Sequence, residues 1–206
     1  MKKRCNWASK HWSIIAAGLF LANWTHAQSM AIDSLSGPVT QNEINQFKAY
    51  MATQVPPPTP FGLPSGTNGD HNEWADGNGG NALEAMGLMY EISGDITILT
   101  NLIGWTDYCV SQRNDLLSAA NGGQRVMWTG KIDKVWVPNE TNSASAGYAG
   151  GENGDTKAHI AYCALLILQN PSLWNLTIPD GNPYGYGVTY FQRATNYIHK
   201  CDEGHD

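Results

Sequence analysis

The chain has 206 residues, of which 42% are hydrophobic and 15% charged, with 12 Lys+Arg against 18 Asp+Glu and a formal charge of −6. That is one domain's worth of chain, apolar enough for a core and too poor in charge for an ordinary disordered tail. Four of the basic residues (Lys2, Lys3, Arg4 and Lys10) precede the first acid, Asp33, so a chain without its N-terminus carries 8 basic and 18 acidic side chains, or −10. Nucleic-acid binding needs clustered cations to displace phosphate counterions, and this composition excludes it. Gly (22), Trp (8) and Tyr (9) are plentiful, a mixture of turns and flat aromatic faces suited to sugar handling.

Lys2-Lys3-Arg4 opens a positive segment, followed by the apolar stretch Ile14–Ala22 and by Thr25-His26-Ala27. The pattern predicts a secretory signal over residues 1–27, cleaved after Ala27; the apolar stretch is shorter than the ~20 residues that span a bilayer. The mature protein, residues 28–206, is expected outside the cytoplasm (in the periplasm of a Gram-negative host) and off the membrane. Cys5 leaves with the signal. Cys109, Cys163 and Cys201 remain, an odd number with no metal-type spacing. They read as buried thiols, with one disulfide plus a free thiol as the alternative.

Thr40 with Glu43 forms a capping box that starts a helix with Ile44, Phe47 and Met51 as its stripe, ended by Pro56-Pro57-Pro58. A long Pro/Gly loop covers 55–80. A second helix runs from Asn81 to Ser93 and is apolar nearly all round, which predicts burial; its polar exceptions Glu84 and Glu91 share a face. Gly94 ends it and Asp95 caps the next helix, to about Gln112, with Ile98, Leu99, Leu102, Trp105 and Cys109 as its stripe. So short a turn makes the two helices antiparallel. Arg125–Thr129 and Ile132–Val137 carry partial alternation that predicts a short β-hairpin. After a small-residue loop over 141–154, Asp155 caps a largely apolar helix to about Leu168. A last helix runs from Val188 to Cys201 with Val188, Phe191, Ala194, Ile198 and Cys201 on one side.

Trp74–Asn81 aligns with Tyr148–Asp155 at an offset of 74, each block leading into one of the apolar helices. The unit is a long loop, a buried helix, a tight turn and a returning helix. Leu83-Glu84-Ala85-Met86-Gly87-Leu88-Met89-Tyr90-Glu91-Ile92-Ser93-Gly94-Asp95, continued to Tyr108, resembles a hairpin of the six-hairpin (α/α) toroid carbohydrate-active enzymes, and Thr189–Ile198 resembles their outer helices. The resemblance covers roughly 81–112 and 155–201. It implies a mainly α fold, with helical hairpins of an incomplete toroid around the short β-hairpin insertion, since 206 residues hold about two and a half hairpins. It also implies a sugar cleft at the N-termini of the inner helices.

Two polar clusters would line that cleft. In Asp70-His71-Asn72-Glu73-Trp74-Ala75-Asp76, the types needed for glycoside hydrolysis (a protonated and an ionised carboxyl) stand beside a stacking ring. In the second, Asp155, His159 and Tyr162 project from one helix face behind Glu152. We expect Asp76 and Glu152 as the carboxyl pair, His71 and His159 as base or orienting groups, Trp74 and Tyr148 as stacking surfaces, and Glu73, Asp155 and Tyr162 as further substrate contacts. The same residues also suit loop turns, an N-cap and a core histidine. The expected activity is a glycoside hydrolase acting on a glycan, because a charge near −10 repels a polyuronate. A lyase or uronate epimerase of the same fold, a non-catalytic glycan-binding module and an inactive fragment are the alternatives. No cofactor is expected, with calcium as the alternative; Asp70 and Asn72 begin a calcium-loop pattern that Trp74 breaks.

Overall fold

A computed structural model describes residues 33, 36–53, 78–119, 123–136 and 150–203, without the side chains of 78, 79 and 150–152. The expected signal peptide, the loop over 55–77 and most of the loop over 141–154 lie outside them. Among the described residues are five α-helices: α1 (Gln41–Thr53), α2 (Asn78–Ser93), α3 (Ile96–Ser111), α4 (Gly150–Leu168) and α5 (Tyr190–Asp202). The fold is mainly α.

The local signals act as their chemistry requires. The Thr40 hydroxyl accepts from the Glu43 amide at 3.2 Å while Glu43 Oε2 accepts from the Thr40 amide at 2.7 Å, closing the capping box of α1. Ile44, Phe47 and Met51 are its buried side. At the α2–α3 turn Gly94 takes φ +65°, a left-handed conformation that side chains resist, and its amide returns to the Tyr90 carbonyl at 2.7 Å. Asp95 caps α3 by accepting from the Thr97 amide at 2.8 Å, and pairs with Lys48 of α1. The α2–α3 hairpin is antiparallel.

Trp136 fixes the direction of α4. Its ring N–H donates to the Cys109 carbonyl at 2.8 Å, and its backbone exchanges two hydrogen bonds with the Asn153 amide. The start of α4 therefore sits beside the end of α3, at the end of the molecule where α2 begins. α2 and α4 run parallel and touch, Tyr162 packing on Gly87. Helix α5 then returns against α4, with Cys201 Sγ near the Lys157 carbonyl, and lies alongside α3, Tyr190 beside Thr100 and Tyr197 beside Ile103. One core runs through the array, centred on Leu83, Met86, Leu99, Leu102, Ile160 and Ile167.

Several expectations are corrected. Helix α2 begins at Asn78 rather than Asn81, and α4 at Gly150 rather than Asp155, because packing carries both helices back through glycines that propensity disfavours. Asp155 is consequently in the second turn and caps nothing. Neither helix is buried all round: Leu88, Ile92 and Leu165 stay exposed, since the neighbours of α2 and α4 cover only part of each circumference. The expected β-hairpin is present only as its turn. Met127 and Gly130 close it through Met127 N–H to the Lys131 carbonyl and Gly130 N–H to the Met127 carbonyl, and no strand forms among the described residues. Asn114 stitches this segment down by bonding the backbone of Arg125 and Asp133.

The buried face of α5 is also turned from the expected one. Tyr190, Arg193, Ala194 and Tyr197 face inward, while Val188, Phe191 and Ile198 are exposed. Cys109 and Cys163 are buried free thiols; Cys201 is free and half-buried, so no disulfide joins the three.

Candidate functional site

The seam between α2 and α4 holds the described members of the expected site. Tyr162 leaves α4 toward α2, where Gly87 admits its ring; a Cβ there would collide with the ring. Its hydroxyl donates to Glu91 Oε2 at 2.7 Å. Partial burial, that hydrogen bond and the charges of Glu91 and Glu84 push the Tyr162 hydroxyl above its ordinary range. It is a hydrogen-bond donor at neutral pH and no base.

One turn toward the start of α4, His159 Nε2 lies 3.5 Å from Asp155 Oδ2; the His159 side chain is 14% exposed and that of Asp155 52%. The separation is an ion-pair distance and too long for a strong hydrogen bond. The imidazole thus lies mostly buried beside a carboxylate that is half open to solvent. Glu152 sits in the first turn of α4, and its side chain lies outside the described part. His71, Glu73, Trp74, Asp76 and Tyr148 lie outside the described residues altogether. The structure therefore pairs Asp155 with His159 on α4 and, separately, Tyr162 with Glu91 of α2 with Glu84 close by, and leaves the carboxyl pair Asp76 and Glu152 without geometry.

Glu91 and Gly87 were open to detection. Glu84 and Glu91 are seven apart on an apolar helix, and a glycine one turn before Glu91 invites a large ring from a neighbour. The sequence reading missed a second polar centre entirely. Between α3, α5 and the loop 177–189, Arg193 is wholly buried against the equally buried Asp107. It also bonds Asp180 at 2.9 and 3.2 Å and the Gly187 carbonyl at 2.9 and 2.8 Å. Only glycine fits at 187, where φ is +132° and a Cβ would lie 2.8 Å from the Arg193 amide nitrogen. Nearby, Arg113 pairs with Asp115 and with Glu203 at 2.6 Å and donates to the Lys200 carbonyl. Burial works against ionisation there, yet the Arg113 and Lys200 bonds hold the Glu203 carboxyl down at about 2. The signal for Arg193 was its spacing of 3 and 4 with Tyr190 and Tyr197, the same as that of Phe191, Ala194 and Ile198 in the more apolar stripe.

Among the described residues no three His, Cys, Asp or Glu are grouped to hold a metal ion, and no helix is long and apolar enough to cross a membrane. Comparison with family models, curated proteins and solved structures finds no match to this chain.

Proposed function

We propose that this protein is a secreted, carbohydrate-active protein, built from hairpins of the (α/α) toroid kind, that hydrolyses a glycan at the rim where α2 and α4 begin. The observation that carries this reading is the parallel packing of α2 and α4. Their starts, Asn78 and Gly150, lie at one end of the molecule, and in sequence each directly follows one of the polar stretches that hold the candidate residues. Asp76 and Glu152 supply the carboxyl pair, and His71 and His159 orient or relay protons. Trp74 and Tyr148 stack on sugar rings, and Glu73, Asp155 and Tyr162 complete the contacts. The state of Tyr162 argues against the lyase alternative in which a tyrosine removes the proton, because its hydroxyl is committed to Glu91.

The test is reducing-end release by the secreted chain from a panel of neutral and acidic polysaccharides. Turnover is expected to fall about 10²-fold or more in Asp76→Asn and in Glu152→Gln, with binding to the same polysaccharide retained. Unsaturated products would assign a lyase instead. Retention on a polysaccharide gel without turnover would assign a binding module, and neither binding nor turnover would end the glycan reading.

A further inference from the structure

The joint between α3 and α5 contains one more carboxyl group than its cation can neutralise. Arg193 brings a single positive charge, and Asp107 and Asp180 both bond it. All five guanidinium N–H groups have partners: the Gly187 carbonyl for Nε and Nη2, Asp107 and Asp180 for Nη1, Asp180 and Asn182 for the rest of Nη2. The other oxygen of Asp107, Oδ1, lies 2.6 Å from the Tyr197 hydroxyl, which is also 3.0 Å from the Ile103 carbonyl. A phenol has one hydrogen, which the Asp107 carboxyl and the Ile103 carbonyl must share if Asp107 is ionised. A hydrogen on Oδ1 that donates to Tyr197 gives each contact its own hydrogen and matches the excess of carboxyl groups around the single guanidinium.

We infer that Asp107 is a neutral carboxylic acid in the folded protein, so that Arg193 and Asp180 form the ion pair and the α3–α5 joint is a lock closed by one buried proton. The proton makes the buried set neutral, which matters where uncompensated charge has no water to screen it. Burial, offset in part by the Arg193 charge and the Tyr197 bond and reinforced by the nearby Asp180, pushes the Asp107 carboxyl up to about 7. The other groups that face it are Tyr197 on α5, Tyr184 and Tyr186 on the loop, and Cys163 on α4. Burial pushes all four upward, Cys163 to about 12, so none of them titrates near neutrality.

The sign follows from linkage. The folded state holds this proton more tightly than an unfolded aspartate, whose pKa is ~3.9, so its stabilising effect is complete below that value and is lost as pH rises through about 7. The carboxyl-carbon resonances of aspartate-labelled protein test this directly. One aspartate is expected to remain protonated at pH 5.5 and to titrate near 7. The resonance should be absent from Asp107→Asn, whose amide can donate to Tyr197 in the same place. In Asp180→Asn, where Arg193 loses its other carboxylate, it should titrate well below neutrality. Asp107→Asn should also remove the fall in unfolding midpoint between pH 5 and 8 relative to the parent chain. A spectrum in which every aspartate is ionised at pH 5.5 would overturn the inference. So would an Asp107→Asn protein equally less stable than its parent at both pH values.

Discussion

The seam between α2 and α4 and the joint between α3 and α5 are made from helices of similar length, yet different forces hold them. At the seam a ring rests on a glycine, one exposed hydrogen bond runs from Tyr162 to Glu91, and Leu88, Ile92 and Leu165 remain open to water. At the joint two buried arginines engage four carboxyl groups and three backbone or amide oxygens, and none of those carboxyl side chains is more than 19% exposed. The lesson concerns the division of labour. Charges that water can reach change partners readily and hold the seam only weakly. Charges sealed between helices set how the helices are registered.

This contrast can be broken at three points. Arg193→Met removes the guanidinium from between Asp107 and Asp180, leaving the two carboxyl groups without their counter-charge. It is expected to lower unfolding free energy by about 3–5 kcal/mol in urea, with partial recovery when combined with Asp180→Asn. Gly87→Val drives a branched side chain into the Tyr162 ring and is expected to cost about 1–3 kcal/mol by the same measurement, spreading the seam without touching the joint. Tyr162→Phe removes only the exposed bond to Glu91 and should change stability by less than about 1 kcal/mol. If Tyr162→Phe were as damaging as Arg193→Met, the two regions would not differ in the way described.

Much of the helical framework was legible before any coordinates. Ser93-Gly94-Asp95 carries a left-handed stop and a carboxylate cap in consecutive residues, a turn whose chemistry is complete within the segment. Thr40 and Glu43 likewise need only each other. A second capping box, Thr189 with Gln192, is equally local and would have placed the start of α5 correctly. What misled the reading of α5 was hydrophobicity: Phe191 and Ile198 outrank Tyr190 and Arg193 on any apolar scale, yet the polar pair is the one with partners waiting on α3 and the 177–189 loop. Of the candidate site, the Asp155–His159–Tyr162 face was legible because it is a property of one helix. Glu91 as the partner of Tyr162 was not, because it lies 71 residues away.

By itself the sequence determined the helices, the α2–α3 turn and the face shared by Asp155, His159 and Tyr162, since each depends on residues within one or two turns of one another. Tertiary structure decided that α2 and α4 run parallel, that Arg193 goes inward and that Asp107 meets Asp180. Those outcomes depend on which distant groups can neutralise a charge once water has been excluded, and no local pattern records that.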